Sequence, residues 1–531
     1  MNLSHFPNKF YWGNSTSSMQ TEGAWNIDGK GPSVYDIRKA GNNSTDWHVA
    51  IDEYHRYEED LDLMQEMGMN MYRIQISWSR VNPTGDGEFN DKGIAFYDRL
   101  INAMLKRGIE PMICLYHFDM PLNLAQKKNG FMSRETVDAF VRFAKRMVDH
   151  FSDKVKYWIT FNEHNLYFTN EVFNISGYES GNRSIDEMYQ IFHHTILAHA
   201  RVANYIHENY PDLKIGGMTA YTPVYPATSD PLDNLMANQV NEFLYNNLND
   251  VFVNGEYSPQ VMQWVKNHEI KMDIQKDDLA IIKQTKSDFL AFSYYQSTTL
   301  NSHKVTNDAL PNTYLESGGE INPYTQQTKW GWNIDALGFR NIITNLYNRY
   351  HIPVFPIENG IGLEEKWDGV HEIDDQVRID YHHNHIKAMR DAINEDGAVV
   401  LGYLGWGLFN GLLGNASKMN IEVAQKELQD VLMPEEKVDL AFKLVRDLLV
   451  FTEKRLIIVD KQGMTGKKVE YKSIPYRSIS RFSVETSGHF DLDAELKIWI
   501  SSAELPAESL QFRSDDSIVA IQKALAQAVL N

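Results

Sequence analysis

The sequence predicts an α/β protein in which residues 1–406 form a (β/α)8 TIM barrel, followed over residues 407–531 by a small β-rich domain with a C-terminal helix. Three observations support this fold class. Short apolar runs alternate with helical patterns as far as Trp406, polar residues collect where the runs end, and closely spaced strand patterns follow. Alternation of strands and helices over this length favours a parallel sheet that closes on itself.

Eight apolar runs are the candidate barrel strands. They occupy residues 11–20, 71–78, 111–118, 155–162, 213–220, 288–295, 353–360 and 399–406. Between them, apolar residues recur every three or four positions, as on one face of a helix, in segments such as 58–68, 135–151 and 376–397. Eight repeats of strand and helix are what this type of barrel requires.

The pattern after Trp406 predicts a separate domain. A small-residue, linker-like stretch (407–417) precedes an amphipathic helix (421–432). Short β runs then cover residues 438–445, 448–460, 467–474, 478–486 and 495–501, and a helix covers 515–530. Turn signals separate the runs at Lys461-Gln462-Gly463 and Ser487-Gly488. Many strands followed by one terminal helix indicate a domain with its own core.

Composition limits the classes of function. The chain has 51 Lys and Arg against 71 Asp and Glu, a formal net charge of −20, which argues against nucleic acid or anionic membrane as a partner. A single cysteine, Cys114, excludes an intrachain disulfide and fits a reducing compartment. Since neither a signal peptide nor a membrane-spanning run is recognisable, we expect a cytoplasmic protein.

Polar residues at the ends of the predicted strands define a candidate site. Asn162 and Glu163 end one strand, Glu358 and His117 end two others, and the first is expected to end at Gln20. Catalytic groups of such barrels lie at the C-terminal ends of the strands. One glutamate there is more often a loop residue or a helix cap. Two glutamates accompanied by Gln, His, Asn and Trp favour an active site.

The segments around these residues resemble family 1 glycoside hydrolases. They are TFNE (160–163), IENG (357–360), QTEGAWNIDGKGPSVYD (20–36), YRIQISWSRVNPTGDGEFN (72–90), LYHFDMP (115–121) and WGWNIDALGFR (330–340). FSYY (292–295) and GYLGWG (402–407) are similar to the 6-phospho-β-glucosidase branch, where plain β-glucosidases usually have Asn in place of Ser293. The resemblance implies hydrolysis of β-glucosides, with 6-phospho-β-glucosides expected, and it implies no cofactor and no metal.

The resemblance also implies residue roles. Glu358 would be the nucleophile and Glu163 the acid/base of a retaining double displacement, for which two carboxyls about 5–5.5 Å apart are needed. Arg73 would support the nucleophile. Substrate contacts would come from Gln20, His117, Asn162, Tyr295, Trp332 and Trp406. Competing interpretations remain for three of these residues: an ion pair inside the barrel for Arg73, and ordinary core packing for Tyr295 and Trp406.

The segment after the eighth strand departs from the family pattern. The phospho-glycosidase branch normally continues with a loop of Ser, Lys and Tyr that grips the 6-phosphate. Here GLFNGLLGNASKMN (407–420) takes its place, and Ser417 and Lys418 do not match the spacing. The last barrel helix and the usual C-terminal end are also missing. We therefore expect a barrel that lacks its usual end.

Residues 407–531 resemble a bacterial pleckstrin-homology-like domain, on the stretches 442–486 and 493–500. The resemblance implies oligomerisation more than lipid binding, so a homo-oligomer formed through this domain is expected. It leaves open an alternative function, that of an oligomerising assembly protein whose truncated barrel is weakly active or inactive. Lysines 461, 467 and 468 are interpreted as a solvated hairpin tip rather than a phosphate site.

Two groups of histidines do not predict a metal site. They are His193, His194 and His199, and His382, His383 and His385. No carboxylate or cysteine stands beside them at the spacing of metal ligands, so they are interpreted as core or solvated residues. No glycine-rich phosphate-binding loop precedes a helix, which argues against a nucleotide cofactor.

Overall fold

The computed structural model describes most of the chain and divides it into two compact units. The described residues are 6–38, 47–363, 375–406, 417–419, 424–426, 428–443, 448–462, 468–486, 493–500, 508–513 and 516–530. One unit comprises Met1–Glu364 and Asp375–Leu408, and the other Glu365–Asp374 and Phe409–Asn531. The domain boundary after Trp406 stays a prediction.

The first unit contains the predicted parallel barrel. Its eight strands are Tyr11–Ser15, Met71–Gln75, Glu110–Tyr116, Tyr157–Phe161, Lys214–Ala220, Phe289–Tyr294, Val354–Asn359 and Gly402–Trp406. From the first strand to the seventh, each pairs in parallel with the next, and the first also pairs with the eighth. The ring closes where Val354 N–H donates to Val399 O at 2.9 Å and Leu401 N–H donates to Val354 O at 3.1 Å. The predicted fold class is confirmed.

Helices follow the strands and cover the barrel. The α-helices of this unit are Ser18–Thr21, Glu53–Glu66, Trp78–Val81, Asp91–Lys106, Leu122–Lys128, Arg134–Phe151, Val172–Ile175, Ile185–Asn209, Pro231–Asn241, Asn247–Asn254, Pro259–Asn267, Asp278–Lys283, Tyr314–Gly318, Ala336–Tyr350 and Gln376–Asn394. The helix Ile185–Asn209 begins with a capping box, in which Ser184 accepts from Glu187 N–H and the Glu187 carboxylate accepts from Ser184 N–H. None of the described helices combines the length and apolar character that crossing a membrane requires.

Small elements complete the rim of the barrel. Three short strands, Val224–Pro226, Thr298–Leu300 and Gly319–Glu320, form one sheet, and Gln326–Gln327 pairs with Asn333–Ile334 in an antiparallel hairpin. Short 3-10 helices cover Gly130–Met132, His164–Phe168 and Ser302–Lys304, and a π-helical turn covers Glu242–Asn246.

The prediction that the first strand reaches Gln20 is wrong. The strand ends at Ser15, and Gln20 lies in the helix Ser18–Thr21. Within this turn the Thr21 hydroxyl donates to Ser17 O at 3.0 Å, and the Ser17 hydroxyl donates to Gln20 Oε1 at 2.5 Å. Local bonds of serine and threonine compete with strand pairing, and here they favour a helical turn.

The barrel interior changes in character along its axis. Apolar side chains fill most of it, namely Met71, Met112, Cys114, Ile159, Met218, Phe289, Ala291, Phe355, Ile357 and Leu404. Since side chains alternate along a strand, Arg73 faces the same side as Met71, and Ser293 the same side as Ala291. The polar residues of the interior therefore stand above an apolar floor, at the C-terminal ends of the strands.

The second unit consists of antiparallel strands and one helix. One sheet contains Ser417–Met419, Val438–Lys443, Leu448–Thr452, Arg455–Gln462 and Lys468–Pro475; the other contains Ile479–Thr486, Asp493–Ile500 and Glu508–Arg513. A 3-10 helix covers Tyr476–Ser478 and the terminal helix covers Asp516–Leu530. Ile521 and Leu525 of that helix pack in a core with Leu449, Ile458 and Leu496. The predicted β-rich domain with a C-terminal helix is confirmed.

Some details of this unit were not predicted. The strand Glu508–Arg513 was missed because only Leu510 and Phe512 are apolar there, which is a weak alternation signal. Of the helix predicted over 421–432, residues 424–426 are helical. Lys461 and Lys468 lie in adjacent paired strands, as a hairpin requires. Lys467, Gly463, Ser487 and Gly488 lie outside the described residues, and so does most of the segment 407–420.

Candidate active site

The predicted site residues lie at the C-terminal rim of the barrel. Arg73, Glu358 and Trp406 belong to strands two, seven and eight, and Asn162 and Glu163 directly follow strand four. His117 and Tyr295 follow strands three and six. Parallel strands of a barrel all end on one side, so residues from six strands meet around one opening.

Glu358 is held from two directions. Arg73 Nη1 donates to Glu358 Oε1 at 2.5 Å, and the Tyr295 hydroxyl donates to Glu358 Oε2 at 2.9 Å. Burial raises the pKa of Glu358, and the charge of Arg73 and the Tyr295 hydroxyl offset part of that rise. Two charge-assisted hydrogen bonds fix the orientation of this carboxylate.

Glu163 has a different environment. Its backbone adopts a left-handed conformation with φ of 43°, which is uncommon outside glycine. The Ser293 hydroxyl donates to Glu163 Oε1 at 2.5 Å. Burial, followed by the negative charge of Glu358, raises the pKa of Glu163 to about 7, while Ser293 and Arg73 act in the opposite direction. This carboxyl can therefore release and accept a proton near neutral pH.

Ser293 and Arg73 connect the two glutamates. In the parallel pairing of strands six and seven, Ser293 is the partner of Glu358, and its hydroxyl contacts Glu163. Arg73 Nη2 donates to Asn162 Oδ1 at 2.6 Å while Nη1 contacts Glu358. Ser293 thus neighbours both glutamates, Glu358 through strand pairing and Glu163 through its hydroxyl.

The remaining predicted residues form the walls of the opening. The rings of His117 and Trp406 have centroids 5.6 Å apart, and those of Tyr295 and Trp332 are 5.7 Å apart. Burial and the charge of Arg73 hold the pKa of His117 well below its usual range, so its imidazole is neutral. Gln20 accepts from the Ser17 hydroxyl at 2.5 Å, a neighbour on its own turn rather than a residue of the glutamate pair.

Sequence reasoning missed the contact of Ser293 with Glu163. The FSYY segment resembles one branch of a family, and that resemblance implies no role for its serine. The signal was present in the strand alternation, because Phe289, Ala291, Ser293 and Tyr295 occupy every second position. Two of these side chains contact the two glutamates.

Asp119 supports the turn that carries Gln20. The Gln75 amide donates to Asp119 Oδ1, and the Ser18 hydroxyl contacts Asp119 Oδ2 at 3.3 Å. Burial raises the pKa of Asp119 to about 7, and the hydrogen bonds it accepts offset part of that effect. Asp119 is one of the polar residues at the end of the predicted third strand, but the sequence suggests no role for it.

The histidine groups serve the packing of helices. His193 contacts the Tyr257 hydroxyl at 2.9 Å and Asp278 Oδ2 at 3.1 Å, and His382 contacts the Tyr403 hydroxyl at 2.7 Å. Within the part of the chain that the structure describes, no group of three or more histidine, cysteine or acidic residues is arranged to hold a metal ion.

Comparison with known proteins identifies both parts of the chain. The family description of glycosyl hydrolase family 1 matches residues 2–419, and that of the bacterial PH domain matches residues 407–529. Aryl-phospho-beta-D-glucosidase BglA of Bacillus subtilis (strain 168) is 38% identical over 436 residues, which are 77% of this chain and 90% of the relative. A 6-phospho-beta-glucosidase of Clostridium longisporum is 36% identical over 422 residues, covering 76% and 87%.

Solved structures give the same result for the barrel. The virulence factor SghA from Agrobacterium tumefaciens is 30% identical with a TM-score of 0.68, over 76% of this chain and 89% of that one. A beta-glucosidase from Thermotoga maritima, in complex with castanospermine, also has 30% identity and a TM-score of 0.68, over 76% and 90%.

Proposed function

The chain belongs to glycosyl hydrolase family 1, and on that premise we propose that it hydrolyses β-glucosides, preferentially 6-phospho-β-glucosides, with retention of configuration. One observation carries the proposal. Glu358 is held by a buried cation, while Glu163, bound by the Ser293 hydroxyl, has a pKa raised to about 7. A retaining glycosidase needs this combination of an ionised and a protonated carboxyl.

In the first step Glu358 attacks the anomeric carbon and forms a glycosyl ester. The bond from that carbon to the glycosidic oxygen breaks, and Glu163 transfers its proton to the departing oxygen. The hydrogen bonds of Arg73 and Tyr295 leave Glu358 little freedom to turn, which orients it for attack.

In the second step Glu163 acts as a base. Esterification removes the charge of Glu358, which is one cause of the raised pKa of Glu163, so that pKa falls after the first step. Glu163 then takes a proton from water as the water oxygen attacks the anomeric carbon. The ester bond breaks, Glu358 returns as a carboxylate, and the product keeps the β configuration.

Asn162 and the rim aromatics would hold the sugar. Because Asn162 Oδ1 accepts from Arg73, its amide NH2 is left to donate, which suits the sugar 2-hydroxyl. Gln20 and His117 would bind other hydroxyls of the glucose ring, and Trp406 would provide an apolar surface for its C–H face. Trp332, against Tyr295, would contact the leaving group.

The preference for a 6-phosphate is supported by the relatives. Two of them, 38% and 36% identical to this chain, are named as phospho-β-glucosidases. The sequence departs from that branch after the eighth strand, in the segment expected to grip the phosphate. The two sugar classes therefore need a direct comparison.

The test is the release of p-nitrophenol from p-nitrophenyl β-glucoside and from its 6-phosphate by the full-length chain. We expect release from the phosphorylated substrate, and a loss of at least roughly 1,000-fold in kcat for Glu358→Gln, since an amide cannot act as the nucleophile. Glu110→Gln is the matched control, because Glu110 begins strand three at the opposite rim.

Two results would contradict the proposal. One is turnover by Glu358→Gln at the wild-type rate. The other is no release from either substrate by a folded wild-type chain, which would favour the assembly protein with an inactive barrel. The anomer formed first, read by NMR, separates retention from inversion.

A further inference from the structure

A row of aromatic side chains leads away from the nucleophile. Tyr295, which binds Glu358, lies 5.7 Å from Trp332, centroid to centroid, at an angle of 54°. Trp332 lies 5.7 Å from Trp330 in an edge-to-face arrangement at 85°. Trp330 is 58% exposed, whereas Trp332 is partly buried. The row therefore runs from the catalytic centre to solvent.

Trp330 stands on a braced hairpin. The strands Gln326–Gln327 and Asn333–Ile334 pair, and Gly331 turns the chain between the two tryptophans with φ of +81°. Thr328 Oγ1 accepts from the N–H of Trp330 at 3.2 Å and of Trp332 at 3.3 Å. These bonds set the backbone that carries both indoles before any ligand arrives.

The hairpin is also tied to the catalytic strands. Asn333 Nδ2 donates to Ser297 O at 2.8 Å, just beyond strand six. The Trp330 indole packs on Gly362, four residues after Glu358; a Cβ built there would lie 2.2 Å from Trp330 Cε3. Only a residue without a side chain leaves room for the indole, so the loop after the nucleophile helps to set the position of Trp330.

We propose that Trp330 forms an outer aglycone-binding position for a second flat, apolar ring, beyond the position that Trp332 provides for the first. The inference rests on the proposed function, and it names the class of leaving group: aryl aglycones of two fused or linked rings. Two indoles at nearly a right angle offer a ring both a face and an edge contact, the arrangements that aromatic pairs prefer. Covering the exposed indole with such a ring adds hydrophobic stabilisation.

The test is calorimetric binding to the full chain carrying Glu358→Gln, which removes turnover. The ligands are 4-methylumbelliferyl β-glucoside, with two fused rings, and p-nitrophenyl β-glucoside, with one ring, each with and without a 6-phosphate. The quantity compared is the ratio of their Kd values. Adding Trp330→Ala is expected to shift the ratio roughly fivefold against the two-ring ligand.

Two further variants test whether the position and the aromatic face of the Trp330 side chain matter, rather than its size alone. Adding Gly362→Ala should shift the ratio in the same direction, because the new methyl group displaces an intact indole. Adding Trp330→Phe should keep most of the selectivity, since an aromatic face remains. An unchanged ratio in both Trp330→Ala and Gly362→Ala would overturn the inference, and so would the absence of binding by both ligands.

Turnover measured in parallel, with Glu358 intact, separates this inference from the proposed function. Binding with the expected ratio but no cleavage would leave the outer position standing and reject the hydrolase. Cleavage of both substrates, with a selectivity that Trp330→Ala does not change, would support the hydrolase and reject the outer position.

Discussion

Arg73 shows how one residue sets the state of several others. It is completely buried, and its guanidinium divides its hydrogen bonds between Glu358 and Asn162. Its charge acts against the effect of burial on the pKa of both glutamates, and it adds to burial, the larger cause, in lowering the pKa of His117. A lysine at this position would carry the charge but could not hold Glu358 and Asn162 together with the planar set of donors that a guanidinium has.

Ser293 makes a testable contribution to the pH dependence. Its hydroxyl stabilises the ionised form of Glu163, so removing it should raise the pKa of that carboxyl above about 7. Because kcat/KM requires protonated Glu163, Ser293→Ala should move the basic limb of the profile upward by roughly half to one pH unit. A pH series of kcat/KM checks this.

Ser152→Ala is the control for this prediction, since Ser152 lies at the end of the helix Arg134–Phe151, away from the rim. A basic limb that moves downward, or does not move in Ser293→Ala, would show that this hydroxyl does not tune the acid.

At the scale of elements, strand five is shaped by two glycines. Gly217 makes room for the ring of Phe252 on the helix Asn247–Asn254, and Gly216 makes room for Phe289 inside the barrel. Successive residues point to opposite sides of the strand, so one glycine serves the helix layer and the other the interior. The strand can approach both neighbours because it presents no side chain at either place.

Gly217→Ala should therefore destabilise the barrel. A Cβ at this position would lie 2.0 Å from Phe252 Cδ2, and overpacking of this kind costs about 1–3 kcal/mol. Calorimetric unfolding of Gly217→Ala, Phe252→Leu and the double variant measures the effect. We expect the double variant to be more stable than the sum of the single losses predicts, because leucine frees space. If the losses of the two single variants simply add in the double variant, the destabilisation by Gly217→Ala does not come from the contact with Phe252.

At the scale of the whole molecule, each unit has its own core. The buried residues of the barrel interior cluster all lie in the parallel strands, and the clusters of the second unit draw on residues from 424 onward. In the second unit, Glu436 and Arg455 form an ion pair at 2.9 Å that also binds Thr452. Despite the desolvation of burial, hydrogen bonds from Arg455, Met433 N–H and Thr452 lower the pKa of Glu436 to about 2, so this carboxyl is ionised at neutral pH.

Residues 407–531 should consequently fold alone and, by the resemblance to bacterial PH-like domains, associate into oligomers. Circular dichroism on heating should show a cooperative transition, because the core of Leu449, Leu496 and Leu525 is complete within the segment. Size-exclusion chromatography with light scattering gives the mass. A folded but strictly monomeric segment would remove the basis for an assembly role.

The order of the barrel elements and the two candidate glutamates could be predicted from the sequence. Strand runs and helical periodicity are local patterns, and all eight predicted strands occur, seven of them with boundaries shifted by three residues or fewer. Boundaries failed where local hydrogen bonds opposed the pattern, as at Gln20, or where alternation was weak, as at Glu508–Arg513. Glu163 and Glu358 could be proposed because each lies at or near the end of such a run and in a segment that resembles the family.

The contacts that those glutamates make could not be predicted before the chain was seen folded. Ser293 meets Glu163 across 130 positions of sequence, and Arg73 meets Glu358 across 285, so no local pattern contains either bond. The raised pKa of Glu163 and the exposure of Trp330 likewise depend on which distant side chains pack around them. Periodicity specifies the face on which a residue lies, whereas hydrogen bonds and burial arise only when the closed barrel brings the strands together.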